Sequence, residues 1–263
     1  MLKKNLIFSF CFVFYFIIFV LPAFPDEFDD GFEEVEDVSM EDTTGEKKLA
    51  LVQFSLTSTT GNAETASIFT GTELFYSSGG NSIGFDGNLY YGEHSRLLTV
   101  RTSEGRLKGA RHFNESNYAY LLGTLKHDEF QRLNLRSSLG IGYGFRLIND
   151  AYEELSLEAG VGLQGEDFSG NRKDDYYHEG RIGINYTYKL SKTARFVTKD
   201  EYLPSLSGVS NHRMRGEFKL IESLYKNLAV ILNLTLDYDG SPIESDIKNL
   251  DTRIFAGVGY NFF

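Results

Sequence analysis

The chain reads as all-β: a transmembrane antiparallel up-and-down β-barrel of about twelve strands, with ten as the alternative count and both termini periplasmic. Three observations lead there. Apolar residues return at every second position over long stretches. Beyond the apolar run at the start, nothing approaches the length of a spanning helix. The closing strand is amphipathic and ends in aromatics: Ile254, Ala256, Val258, Tyr260 and Phe262 share one face, while Arg253, Gly257, Gly259 and Asn261 share the other. Phe255 is the large apolar exception on the polar face, and Phe263 follows out of register, so Tyr260, Phe262 and Phe263 form the candidate C-terminal barrel-assembly signal.

Taken in order, residues 1–25 are expected to be a secretory signal peptide. Lys3 and Lys4 precede an apolar run from Leu6 to Leu21, and Pro22-Ala-Phe-Pro25 forms a turn-prone exit. An uncleaved membrane anchor is the rival reading of that run. Cys11, the sole cysteine, lies inside it, so a cleaved chain has no disulfide, thiolate nucleophile or cysteine metal site. Residues 26–47 follow as an acidic tail. The net charge of −11 belongs largely to this tail, because Asp26, Glu27, Asp29, Asp30, Glu33, Glu34, Glu36, Asp37, Glu41, Asp42 and Glu46 stand there with no basic residue before Lys47. A block of like charge with little apolar content is expected to be a disordered periplasmic spacer; docking or cation binding is the sharper alternative.

Residues 48–263 are expected to form the barrel. Leu139, Ile141, Tyr143, Phe145 and Leu147 alternate with Gly140, Gly142, Gly144 and Arg146, an apolar set that the same parity extends back to Leu133 and Leu135. Leu155, Leu157, Ala159, Val161 and Leu163 alternate with Ser156, Glu158, Gly160, Gly162 and Gln164. Ile182, Ile184, Tyr186 and Tyr188 oppose Arg181, Gly183, Asn185 and Thr187, and Leu228 to Tyr238 oppose Asn233, Thr235 and Asp237. A soluble sandwich also alternates. Strand length, 22 Phe and 16 Tyr, and charged residues on the face opposite the apolar one favour the barrel. Turn signals place strands at 49–59, 63–77, 82–93, 96–112, 117–128, 132–148, 153–167, 175–190, 193–206, 211–223, 227–239 and 249–262. Residues 96–112 alternate badly and are the source of the ten-strand alternative. Outer connections at Thr60-Gly-Asn62, Gly92-Glu-His94, Asp128–Gln131, Phe168–Asp174, Ser207–Asn211 and Asp239–Lys248 are short, which disfavours loop-based binding.

The segment Ser55-Leu-Thr-Ser-Thr-Thr-Gly-Asn-Ala-Glu-Thr65 resembles the early hairpin of domain-of-unknown-function family 481, described as salt-induced outer membrane proteins. Leu139–Ile148, Leu155–Gly162 with Gly165-Glu-Asp167, Glu201-Tyr-Leu-Pro-Ser205 and Gly257–Phe262 are similar to further family segments, in family order. The third and fourth strands and the acidic tail depart from the pattern. The resemblance implies an outer-membrane barrel and no defined activity.

Chemistry-bearing motifs are sparse. His94, His112, His127, His178 and His212 are scattered, without metal-ligand spacing or a nucleophile motif, so no catalytic residue, metal or cofactor is expected. Nucleic-acid binding is disfavoured by the lack of a basic stripe. Strand parity instead directs Arg136, Arg146, Glu158, Glu166, Arg181, Arg213, Arg215, Glu217, Asp237 and Arg253 into the lumen. Such a lumen suits a narrow channel for ions or small solutes, or a non-conducting envelope barrel plugged by salt bridges; a lipid-modifying enzyme is the remote third reading. Expected partners are outer-membrane lipid and, during biogenesis, the barrel-assembly machinery and periplasmic chaperones. The expected location is the bacterial outer membrane.

Overall fold

The computed structural model describes residues 40–41, 46–59, 65–94, 97–129, 131–169, 175–207, 212–242 and 248–262. The expected signal peptide, most of the acidic segment and Phe263 lie outside them. After a two-residue strand β1 (Met40–Glu41), the long strands are β2 (Lys47–Thr59), β3 (Thr65–Ser78), β4 (Asn81–His94), β5 (Leu97–His112), β6 (Asn117–Asp128) and β7 (Leu133–Asn149). They continue as β8 (Glu153–Phe168), β9 (Asp175–Lys189), β10 (Ala194–Pro204), β11 (His212–Tyr225), β12 (Leu228–Asp239) and β13 (Leu250–Asn261). Each long strand pairs antiparallel with its sequence neighbour, and β13 returns to β2, closing a twelve-stranded barrel. The count is therefore twelve, and the poorly alternating residues 97–112 form one full strand. β1 pairs Met40 with Lys48 and Glu41 with Lys47, so the end of the acidic segment is ordered against β2.

One rim carries the tight turns and both barrel ends, the start of β2 and the end of β13. Gly79 and Gly80 connect β3 to β4 with φ of 56° and 77°, the left-handed pair that a two-residue hairpin needs. Three of the other turns on this rim are each tied by a single polar side chain. Asn114 Oδ1 accepts from the N–H groups of Ser116 and Asn117 at 2.9 and 2.8 Å, and Ser191 Oγ does the same for Thr193 and Ala194. Asp150 accepts from Tyr152 and Glu153 at 2.8 and 2.7 Å, and these two donors hold its carboxyl below the usual carboxylate range. The opposite rim carries the remaining connections. Gly92-Glu-His94, expected there as a turn, lies within β4, where a bulge at Gly92 and Glu93 absorbs the local irregularity.

The side chains are inverted relative to a soluble protein. Ile141 and Leu139 are 62% and 59% exposed on the outside, while Glu158 and Gln164 are 2% exposed inside. Parity slips at bulges: Leu133, assigned to the outer face by its sequence neighbours, points inward because β7 bulges between Leu133 and Leu135. Ring pairs Phe113–Tyr143, Tyr186–Tyr188 and Tyr260–Phe262 sit on the outside near the turn rim, where a girdle at the water–lipid boundary would lie.

Inside, Leu51, Ile221, Ala229 and Ile231 pack together near the turn rim. A second group comprises Tyr118, Tyr120 and Leu122 of β6. These tyrosines lie over the bare wall formed by Gly142, Gly144 and Gly160. A Cβ at Gly160 would stand 2.6 Å from the Tyr120 hydroxyl and 2.7 Å from the Ile141 carbonyl, so glycine is required by close approach. Gly160→Ala is expected to cost about 1–3 kcal/mol through overpacking. Gly109→Ala, with nothing within 4 Å of its Cβ position, should stay within about 0.5 kcal/mol of wild type in urea unfolding from vesicles.

A charge-paired lumen as the candidate functional site

The inward parity of β5 delivers Glu104, Arg106 and Lys108, that of β9 and β10 delivers Glu179, Arg181, Lys199 and Glu201, and that of β11 delivers Arg213, Arg215, Glu217 and Lys219. These groups meet across the ring of twelve strands. Arg106 makes a two-pronged contact with Glu201 on the far side, Nη1 to Oε2 at 2.8 Å and Nη2 to Oε1 at 2.6 Å. Such fork geometry is the strongest arrangement open to a guanidinium and a carboxylate.

Arg181 joins two acidic centres. Its Nε donates to Glu201 at 2.7 Å and its Nη1 to Glu158 at 2.6 Å and to the Tyr120 hydroxyl at 2.8 Å. Glu158 also accepts from the Tyr118 hydroxyl at 2.6 Å and pairs with Lys108. The tyrosines laid over the glycine wall thus bring their hydroxyls to the central carboxylate and guanidinium. The chain Lys108–Glu158–Arg181–Glu201–Arg106 starts and ends on β5 after crossing the lumen twice.

Further bridges span the barrel above and below. Glu104 pairs with Arg215, Glu73 with Lys219, and Asp86 with Lys199 at 3.1 Å. Glu217 lies 3.1 Å from Lys219 and accepts from Asn233 at 3.3 Å. Towards the loop-bearing rim, Arg136 donates to Glu166 at 2.7 Å and reaches Asp239 of β12 at 3.3 Å. Arg213 binds Gln164 and Glu179, and Asp237 pairs with Arg253. Among these bridges lies a cavity of about 100 Å³, lined by Glu104, Lys126, Arg136, Arg215 and Asp237 among others. That is room for several waters.

Nine of the ten residues assigned to the lumen by parity take part in this network. Arg146 instead sits at the turn rim, its Nε 3.3 Å from Glu154 and its Nη1 donating to the Glu115 carbonyl at 3.2 Å. Sequence reasoning missed Glu73, Asp86, Glu104, Arg106, Lys108, Lys199, Glu201 and Lys219. On β5 the spacing Glu104-x-Arg106-x-Lys108 was the available signal; of the outward residues around it only Leu107 is large and apolar, and Ser103, Gly105 and Gly109 are too small to mark the opposite face. The histidines with described side-chain contacts meet polar groups and rings: His112 Nε2 lies 3.2 Å from Ser82 Oγ with its ring against Tyr118, His127 Nδ1 meets the Asn134 carbonyl at 2.9 Å, and His212 lies tilted between Tyr202 and Tyr238. Among the described residues no group of three His, Cys, Asp or Glu could hold a metal ion.

The profile of the family described as "Protein of unknown function, DUF481" matches residues 52–262. The chain belongs to this family. Its matched span begins in β2 and runs past the end of β13, so the family unit and the barrel coincide. No curated protein matches the chain in sequence. Among solved structures, it is similar to the NanC porin at 8% identity, covering 82% of this chain and 100% of that one with a TM-score of 0.49. The translocator domain of the autotransporter NalP from Neisseria meningitidis matches at 14% identity, 87% and 92% coverage and a TM-score of 0.46. The KdgM porin in complex with disordered oligogalacturonate matches at 12%, 82% and 99%, with a TM-score of 0.41.

Removing one partner of the central fork strands two guanidinium groups. Glu201→Gln is expected to cost about 3–5 kcal/mol, read as the urea midpoint of the folded barrel in vesicles. The Arg106→Met/Glu201→Gln double variant should recover part of that loss, because only Arg181 then lacks its second acceptor.

Proposed function

We propose that the protein resides in the bacterial outer membrane as an envelope barrel whose lumen is held shut to solutes by cross-barrel ion pairs. The observation that carries this reading is the fork between Arg106 and Glu201, which ties opposite walls of the barrel at its middle. The bridges Glu73–Lys219, Glu104–Arg215 and Arg136–Asp239 repeat the arrangement along the lumen, and the apolar group around Leu51 and Ile231 narrows it near the turn rim. The apolar exterior and polar interior support the membrane assignment. In this orientation the turn rim, with both barrel ends, faces the periplasm. Tyr260 and Phe262 stand exposed on the outer face at the end of β13, which supports their use as an assembly signal for the barrel-assembly machinery and its chaperones.

A second reading, a narrow conductor of ions, is favoured by the cavity of about 100 Å³ set among charged groups. Paired charges can part, and a polar cavity large enough for waters gives ions a place between them. Neither reading assigns a catalytic role to any residue.

Purified wild-type protein in planar bilayers is expected to give no discrete conductance steps across a range of voltages and salt concentrations. The Arg106→Ala/Glu201→Ala variant should give them, once the central tie is gone. Discrete steps from the wild type would overturn the shut lumen in favour of the conductor, and recovery of the protein with the inner membrane on density gradients would overturn the location.

A further inference from the structure

The loop half of the lumen holds a cavity with ties at both ends. Below it stand the Arg106–Glu201 fork and Arg181, which donates to Glu201 at 2.7 Å. Towards the loop rim, Arg136 reaches Asp239 at 3.3 Å. Beyond that tie comes Gln131, in the connection between β6 and β7, whose Nε2 donates to Asp251 Oδ2 at 2.9 Å. Asp251 stands at the start of β13, which lies halfway round the ring from β7, so this one hydrogen bond crosses the mouth. Gln131, Arg136 and Asp239 line the same cavity of about 100 Å³ that Arg106, Arg181 and Glu201 bound from the other end.

The backbone around Gln131 is held in this pose from several sides. The Gln131 N–H donates to Asp128 Oδ1 at 3.2 Å, and the Arg132 N–H donates to the Glu129 carbonyl at 3.1 Å. The Arg132 carbonyl accepts from the Ser169 N–H at 2.9 Å and from the Ser169 hydroxyl at 3.2 Å, next to the end of β8. Arg132 has a φ of 51°, and among the described residues it is the one residue other than glycine in the left-handed region. That region is unfavourable for a residue with a Cβ, and such strain persists only where surrounding contacts impose it. The Gln131–Asp251 bond joins a neutral amide to a carboxylate, whereas the ties below it join opposite charges. It is therefore the weakest of them, and it stands nearest the water outside.

We infer that Gln131 is the latch of a lid over the loop-side mouth of the lumen. The turn that carries Gln131 and Arg132 opens when Gln131 leaves Asp251, and the central fork stays shut meanwhile. Release also frees Arg132 from its left-handed backbone, which favours the open form and offsets part of the latch. With the lid open the cavity becomes a vestibule for water and small inorganic ions, the solutes that its volume admits. The inference rests on the shut lumen proposed above, which leaves the loop-side mouth as the way into the cavity.

Cys11 is the sole cysteine, so on a Cys11→Ser background a single introduced thiol reports alone. Ser138→Cys places it on the cavity wall, and Ser116→Cys places a reference on the exposed turn rim. In the folded protein in detergent micelles, methyl methanethiosulfonate should label Ser138→Cys far more slowly than Ser116→Cys. Adding Gln131→Ala should speed labelling at Ser138→Cys roughly tenfold, the loss of one hydrogen bond to a carboxylate, and leave Ser116→Cys unchanged. Asp251→Ala should give the same rise, and the two together no more than either alone. Slow labelling that stays slow without Gln131 and without Asp251 overturns the latch alone. A rise shared by Ser116→Cys, or rises that multiply in the double variant, overturns it as well. Labelling of Ser138→Cys as fast as the reference with both residues intact overturns the shut lumen, and the latch with it.

Discussion

Charge pairing across a narrow ring is the constraint on which the rest of this structure depends. A barrel of this size leaves its inward side chains neither a dry core nor a wide aqueous pore, so each charged group needs an opposite charge within reach. For Arg106, Arg136 and Lys219 that partner stands on a strand remote in sequence: Glu201, Asp239 and Glu73. Such pairs fix which strands face each other across the lumen as firmly as the ladder fixes which strands are neighbours. The glycine wall of β7 and β8 serves the same end, because only a bare surface lets Tyr118 and Tyr120 lie flat and reach Glu158 and Arg181.

Buried ion pairs are a poor source of net stability, since desolvating both partners offsets most of their attraction. The backbone ladder and the apolar exterior supply the stability of a barrel in lipid without them. A lumen filled with aliphatic side chains would serve a purely structural barrel equally well, and this chain has such a group around Leu51 and Ile231 near the turn rim. The presence of Arg106, Arg181 and Lys108 with their carboxylates farther in is therefore better explained by a requirement for polarity inside, whether to hold the lumen shut specifically or to let it part.

The fold was legible in the sequence wherever the outer face is strongly apolar. On β7, β8, β9 and β12, large residues at every second position mark the exterior, and the interior follows by subtraction; Glu158, Arg181 and Asp237 were found this way. On β5 and β10 that subtraction fails. The outward face of β5 carries Ser103, Gly105 and Gly109 around a single Leu107, and that of β10 interrupts Phe196 and Tyr202 with Thr198 and Asp200, which hydrogen-bond to each other at 2.8 Å. With neither face distinct, Arg106 and Glu201, the central pair, were not read as partners. Leu133 was misplaced for a different reason, because a bulge shifts parity by one residue and leaves little local trace. Bridges between strands as remote as β3 and β11 lie beyond any periodicity argument, since parity states which way a side chain points and not what it meets.

Phe255 shows where a broken pattern carried information. It was the one large apolar residue on the polar face of the closing strand, and alternation alone gave it no place. In the folded chain it stacks on Phe69 from the far side of the seam, at 4.8 Å, where β2 and β13 have stopped pairing. A ladder can be replaced locally by side-chain packing only if apolar groups from both sides meet, and Phe69, Tyr90 and Phe255 do so. Apart from the Ser55–Ala256 hydrogen bond just past the last rung, the contact holds the two edges near each other without a ladder between them. Packing of this kind is less directional than a ladder, and it leaves the edges freer to separate. The inward pattern turns from charged to aromatic where the ladder of the closing seam ends.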